Sequence, residues 1–393
     1  MKLLHVIPSM NPAGGGPMEG VLQMARVHQK RGVYVEVVCF DEPDASFLQN
    51  LPLKVHGLGK GFFKYGYNSR LTPWLRENVH KFDAVVINGI WQYHSFGTWR
   101  VLRTSNVPYF VYTHGMLDPW FKTAYPLKHL KKCIYWPWSD YRVLRDAKAV
   151  LFTCEEESIL APKSFSRWSA NSRVVKYGAA TPPQDSDRVR TFFLQKFPEL
   201  TNTRNFLFLS RIHEKKGCDL IIEAFSRVAG FVPDLRLIMA GPDQCGLVEG
   251  LKEQAGRLGV ADRIVWPGML QGDMKWGAFY ASELFVLPSH QENFGIAVAE
   301  SLGCGVPVLI SDKVNIWREI QADGGGLVGN DDAQDTEANM RKWLAMSSAQ
   351  REEMSRRAHE IFSERFTVEQ MTGSLMQTIL EFVKNKPAFY QHQ

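Results

Sequence analysis

A chain of 393 residues, 45% hydrophobic and 22% charged, is too long for one ordinary core and fits two soluble domains of comparable size. The formal net charge of +5 is modest, and without a concentrated basic face or a recognisable binding module, nucleic-acid partners are excluded. No stretch approaches about 18 uninterrupted apolar residues, which excludes a membrane-spanning helix. Six cysteines without a Cys-x-x-Cys pair read as free thiols of a reducing, cytoplasmic compartment rather than as a zinc site.

In chain order, the apolar run near the N-terminus is too brief for a signal-peptide core, so Leu3–Pro8 reads as a first strand. Val21, Leu22, Met24, Ala25 and Val27 give helical spacing over Met18–Arg31, closed by Gly32. Strands follow at Val33–Phe40, Ala84–Asn88, Tyr109–Thr113 and Val150–Thr153. The polar, Pro-rich segment Gly178–Asp187 reads as an interdomain linker. A second series then begins, with strands at Asn205–Ser210, Arg236–Ala240, Arg263–Trp266, Leu284–Pro288 and Val306–Ser311. Helices alternate with them at Gly217–Gly230, Gly246–Leu258, Lys275–Ala281 and Ile296–Gly303. From about Asp335 the chain is helical and charged. Strands alternating with helices imply an α/β chain of doubly wound parallel sheets, with domains at 1–180 and 181–366 and a last helix within 367–393.

The stretch Glu292-Asn-Phe-Gly-Ile-Ala-Val-Ala-Glu300 carries the most chemistry. A buried strand, a tight turn and a helix start deliver backbone N–H groups to an anion. Two carboxylates beside that site repel a bare phosphate but accept from the hydroxyls of a ribose or hexose, so the residues point to a sugar nucleotide. An ordinary βα unit with two solvated acids is the plainer alternative. Gly14, Gly15 and Gly16 separate the first strand from the first helix, either as a flexible loop or as a close approach to an anion. Their spacing is not the dinucleotide fingerprint, which disfavours a NAD-dependent enzyme. Arg211 and Lys216 follow the first strand of the second domain and suit a diphosphate, or else are solvated charges. Asp185-Ser186-Asp187 follows two prolines and reads as a solvated turn, not a metal ligand.

These motifs, together with Thr113-His114-Gly115, Ala240-Gly241-Pro242 and Pro267-Gly268, resemble the retaining GT-B glycosyltransferases of family 4 over nearly the whole chain. The resemblance implies two Rossmann-like domains facing each other across a cleft, with a last helix near Thr367–Lys384 crossing back to the N-terminal domain. It implies that Arg211 and Lys216 hold the donor diphosphate; Lys216 rather than Lys215 matches, because it precedes Gly217. Gly15 and Gly16 then approach the β-phosphate from the opposite domain, and His114 meets the hexose at its 6-hydroxyl. Gly241, Met269, Leu270, Asn293, Phe294, Gly295, Ile296 and Ala297 complete the donor side. Glu300 takes the ribose and Glu292 the hexose.

The implied reaction is retaining and metal-independent, moving a hexose from a UDP-sugar such as UDP-glucose to a cell-envelope polysaccharide or lipid-linked precursor. On the acceptor side, Trp91, Asp118 and Trp120 are candidates, Asp118 reading equally as a solvated loop acid. The run His114-Gly-Met-Leu-Asp-Pro-Trp120 is similar to bacterial exopolysaccharide enzymes, the cyanobacterial heterocyst-envelope type among them. The basic aromatic region 120–142, including Trp136 and Trp138, fits peripheral contact with an anionic membrane at its inner face, an acceptor surface, or plain core. A GT-B sugar-nucleotide epimerase or a non-catalytic sugar-nucleotide-binding partner shares the donor chemistry.

Overall fold

The computed structural model describes residues 1–12, 16–383 and 389; Gly14 and Gly15 lie outside the described residues. The chain divides into two units, one formed by Met1–Gly178 with Val368–Gln393 and the other by Ala179–Thr367. Among the described residues no helix is long and apolar enough to cross a membrane.

The first unit is built on a seven-stranded parallel sheet: β1 (Lys2–Val6), β2 (Tyr34–Cys39), β3 (Lys54–Gly57), β4 (Ala84–Asn88), β5 (Tyr109–Tyr112), β6 (Ala149–Phe152) and β7 (Ser172–Val174), in the order β3-β2-β1-β4-β5-β6-β7. Every residue of β4, β5 and β6 is buried, as strands covered on both faces require. Leu4, Val6, Val85, Ile87, Val111, Val150 and Phe152 point into one core face, where Trp136 and Phe165 also pack. The other face is covered by the helix Gly16–Lys30 and by the last helix, Val368–Leu380, which pack together. Met371, Leu375, Met376 and Ile379 of that last helix are fully buried. Its Ser374 hydroxyl accepts from the Lys176 amide at 3.1 Å, and Phe382 meets Phe110 edge-on at 5.8 Å.

The second unit carries a six-stranded parallel sheet: β8 (Arg204–Leu209), β9 (Leu235–Ala240), β10 (Ile264–Gly268), β11 (Leu284–Leu287), β12 (Val308–Ser311) and β13 (Gly326–Gly329), in the order β10-β9-β8-β11-β12-β13. In both sheets the direction of winding reverses once, between β1 and β4 and between β8 and β11. Ligands of doubly wound sheets bind beyond the carboxyl ends of the strands at that switch.

Two departures from the sequence reading have local causes. The segment read as a linker ends in a helix, Ser186–Lys196, whose N-cap is Asp185: its carboxylate accepts from the Arg188 amide at 3.2 Å and pairs with the Arg188 guanidinium. Asp185 is thus a capping residue rather than a loose turn acid. Only Val189 and Phe193 of this helix are buried, so its apolar periodicity is faint. It lies close against the helix Gly272–Tyr280, where a side chain at Gly277 would place Cβ 2.3 Å from the Val189 carbonyl oxygen. The short strands β3, β7 and β13 also carry too few residues for a clear alternation.

Candidate active site

In the second unit, the loops after β8, β9 and β10 are tied into one floor. The Ser210 amide donates to the Ala240 carbonyl at 3.1 Å and the Gly241 amide to the Gly268 carbonyl at 2.8 Å. At Gly241 (φ +146°) a Cβ would lie 1.7 Å from the Ser210 carbonyl oxygen, so no other residue fits there. Arg211 is exposed, and its guanidinium reaches the Gln244 side-chain oxygen at 3.3 Å. The loop then turns through Glu214–Lys216, capped by His213, whose Nδ1 accepts from the Lys215 amide at 3.1 Å. That bond needs a neutral imidazole; burial, then the charges of Arg211 and Lys215, hold the His213 pKa below its ordinary value.

Gly217 ends the turn in the left-handed region (φ +64°), with space for a Cβ closed by the Pro288 carbonyl 2.3 Å away. The loops after β8 and β11 therefore touch at the switch point. Across that contact Lys216, only 3% exposed, donates from Nζ to the Glu292 carboxylate. Burial by itself would raise the Glu292 carboxyl. The Lys216 ammonium, by charge and hydrogen bond, Lys215 and the Asn293 amide together hold it below the usual carboxylate range. The Glu292 backbone is pinned as well: its amide donates to the Lys313 carbonyl and its carbonyl accepts from the Asn315 amide, both at 3.0 Å.

Gly295, left-handed at φ +73°, then opens the helix Ile296–Gly303. The first-turn amides at Ile296 and Ala297 have no carbonyl a turn below them within the helix and lie at its positive end. Phe294 contributes backbone only, because its ring is buried edge-on to Phe366 at 5.5 Å. The Asn293 side-chain oxygen accepts from Asn315 at 3.4 Å. Met269 is exposed and Leu270 partly so, on the loop after β10. Glu300, 5% exposed, accepts from Lys275 Nζ at 2.6 Å, and that ammonium also sits 4.4 Å from the Trp276 ring centre. Sequence reasoning missed Lys275, which lies on the helix Gly272–Tyr280 outside any recognisable motif. Both glutamates read as hydroxyl acceptors are thus held by lysines.

In the first unit, the turn after β5 has two successive left-handed residues, His114 (φ +48°) and Gly115 (φ +73°). For a non-glycine residue this costs about 1–2 kcal/mol. A buried carboxylate holds the turn: Glu157 accepts from the Thr113 hydroxyl (2.7 Å), the Gly115 amide (2.5 Å), and the Thr153 amide (2.8 Å) and hydroxyl (2.7 Å). Sequence reasoning missed Glu157 too, since its partners at the turn lie more than 40 residues away. The His114 ring stacks on Tyr112 at 5.2 Å, and its Nε2 is buried without a hydrogen bond. Burial, with nearby His5, lowers the His114 pKa to about 3, so the ring is neutral. His5 on β1, hydrogen-bonded to Asn88, and His28, with neither ring nitrogen bonded, are buried and neutral as well. Gly16 begins the first helix and its carbonyl accepts from the Tyr177 hydroxyl at 3.4 Å.

The acceptor-side candidates are packed more tightly than their sequence context suggests. Trp91 donates its indole N–H to the Met116 carbonyl at 3.1 Å and sits among Tyr135, Trp136 and Phe165. Asp118 is not a solvated loop acid; it is 9% exposed and accepts from the Trp120 amide at 2.8 Å at the start of a short helix. Trp120 meets Phe121 and Tyr125 edge-on. Trp136 belongs to the core, stacked on Phe165 at 4.3 Å, whereas Trp138 is 67% exposed.

Comparison with known proteins shows the family and the fold. Residues 15–178 match the model of the glycosyl transferase 4-like domain, and residues 189–361 that of the glycosyl transferases group 1. The GDP-mannose:cellobiosyl-diphosphopolyprenol alpha-mannosyltransferase of Xanthomonas campestris is 25% identical over 357 residues, 88% of each chain. Among solved structures, Anabaena Alr3699/HepE in complex with UDP and glucose superposes with a TM-score of 0.76 at 18% identity, covering 97% of this chain and 99% of that one. Sucrose-phosphate synthase from Thermosynechococcus elongatus superposes equally well, with a TM-score of 0.76 at 17% identity over 97% and 98% of the two chains. The chain belongs to the group 1 glycosyl transferases and is a glycosyltransferase of the GT-B fold.

Proposed function

We propose that this glycosyltransferase is retaining and metal-independent. In this reading it moves a hexose, glucose from UDP-glucose as first candidate, to a cell-envelope polysaccharide or a lipid-linked precursor at the inner face of the cytoplasmic membrane. The observation that carries the reading is the Lys216–Glu292 pair across the β8/β11 switch point, next to the N-terminus of the helix Ile296–Gly303. An arriving diphosphate takes the Lys216 ammonium, the Arg211 guanidinium and the helix amides, and Glu292 turns to the hexose hydroxyls. Glu300 leaves Lys275 for the ribose, or shares both. His114, neutral, contacts the hexose without exchanging a proton. The bond from the anomeric carbon to the phosphate oxygen breaks, and the acceptor oxygen bonds to that carbon on the same face. The acceptor proton passes to the departing phosphate, so no separate base is required. Positive charge from Arg211, Lys216 and the helix dipole performs the role a cation plays in metal-dependent transferases.

The solved complexes of Anabaena HepE with UDP and with UDP-glucose favour a uridine donor, while the name of the Xanthomonas relative carries GDP-mannose and a diphosphopolyprenol acceptor. Calorimetry with UDP, UDP-glucose, GDP-mannose and ADP-glucose separates them. Glu300→Ala is expected to weaken UDP and UDP-glucose alike, and Glu292→Ala to weaken UDP-glucose well beyond UDP. Equal losses in both variants would sink the assignment. Sugar release or transfer measured in excess EDTA should match that with added magnesium; abolition by EDTA and rescue by a divalent ion would overturn the charge argument. Release of free sugar and UDP that no acceptor suppresses would favour an epimerase.

A further inference from the structure

From Pro119 to Ser139 the sequence carries Lys122, Lys128, Lys131 and Lys132 and no aspartate or glutamate. Its central helix, Pro126–Tyr135, has no buried residue. Leu127, Leu130 and Ile134 are 81%, 61% and 71% exposed. At spacings of three and seven they fall within about 60° of one another on the outer face. Trp138 prolongs the apolar surface beyond the helix, with the Arg142 guanidinium 5.4 Å from its ring. The inner face is anchored: His129 stacks on Phe165 at 4.9 Å, and the Lys132 ammonium lies 4.1 Å from the Trp91 ring. The helix is therefore fixed with its aliphatic stripe turned to solvent and exposed Lys128 and Lys131 alongside.

We propose that Leu127, Leu130, Ile134 and Trp138 form a surface that inserts into an anionic lipid bilayer, with Lys128 and Lys131 on the headgroups. Aliphatic side chains gain from an acyl boundary, and lysines beside them gain from anionic headgroups. A second copy of this chain is a poor occupant, because a two-fold contact of this face would set lysines against lysines. A sugar chain is a poor one too, since its rings stack on aromatic faces rather than on leucines. The inference rests on the preceding reading for its purpose, a lipid-borne acceptor, but draws its evidence from this helix alone.

Full-length protein would be sedimented with vesicles of phosphatidylcholine alone and of phosphatidylcholine with phosphatidylglycerol, at low and high salt. Binding is expected to the phosphatidylglycerol vesicles, at least about tenfold weaker to the neutral ones, and weakened by salt. L130D/I134D and K128E/K131E should each lose at least about tenfold in binding. Their thermal unfolding and UDP-glucose affinity should match the parent, because none of these side chains is buried or placed at the donor. No binding by the parent, parental binding by both variants, or self-association without vesicles that L130D/I134D abolishes would overturn the proposal. Loss of UDP-glucose binding by the parent itself would instead count against the donor reading.

Discussion

The two units treat their buried polar groups in opposite ways. In the second unit the charges are full and paired, Lys216 with Glu292 and Lys275 with Glu300. In the first unit His5, His28 and His114 are buried, neutral and incompletely bonded, and the single carboxylate at the His114 turn, Glu157, is spent on neutral donors. A charge must find a partner when water is removed, whereas a neutral imidazole needs only a hydrogen bond and tolerates going without one at smaller cost. Fixed positive charge of the second unit's kind suits a polyanion such as a diphosphate, whereas a neutral imidazole of the first unit's kind suits a hydroxyl.

The comparison is broken most severely at Lys216. Lys216→Ala removes the Glu292 carboxylate's ion-pair partner and, in the proposed assignment, positive charge from the leaving group, so turnover should fall by about 10²–10³-fold, the usual loss for one such stabilising group. Steady-state sugar release measures it. A near-parental rate would mean that the pair is structural only.

Glu157→Ala attacks the other unit. It leaves four donors without their acceptor, two of them, the Thr113 hydroxyl and the Gly115 amide, in the turn that positions the His114 ring and two at Thr153. About 3 kcal/mol of stability should be lost, which for a unit of this size lowers Tm by about 6–12 °C. An unchanged Tm in scanning calorimetry would show that the turn holds itself.

The third test sharpens the contrast through pH. The pKa of His28 is lowered to about 3 and that of His5 to about 4 by burial, while the unfolded chain protonates near 6.5. Between those values the unfolded state binds more protons, so stability is whole above pH 6.5 and declines as pH falls towards 4. At pH 5 one such histidine costs about 2 kcal/mol. His28→Leu should therefore flatten the fall in Tm between pH 7 and 5, while variants of exposed histidines leave it alone. An equal acid sensitivity in His28→Leu would remove this histidine from the account.

Much of this organisation was legible in the residues. The central strands declared themselves as continuous apolar runs because parallel strands are covered on both faces. The turns that carry Lys216 and Glu292 were legible because each holds a glycine that the turn demands, Gly217 and Gly295, but the ion pair between the two side chains was not. What stayed hidden is non-local. Glu157 and Lys275 act on groups far along the chain, and no window of sequence shows that pairing. Asp185 is solvated as read, but its capping role stayed hidden because two prolines before it look like a linker and the helix it caps buries only two side chains. Trp136 and Trp138 look alike in sequence, yet one is core and the other solvent-facing.

The last helix has a consequence for how the chain comes into being. The first unit includes Val368–Leu380, whose buried face covers one side of its sheet beside the first helix. On a ribosome, residues 1–178 emerge roughly 200 residues before that helix is complete, an interval on the order of 10–40 s at ordinary elongation rates. The second unit, continuous from Ala179 to Thr367, is whole while the first still lacks its closing piece. The nascent first unit must therefore wait with an apolar seam uncovered, and the half synthesised first is the half finished last.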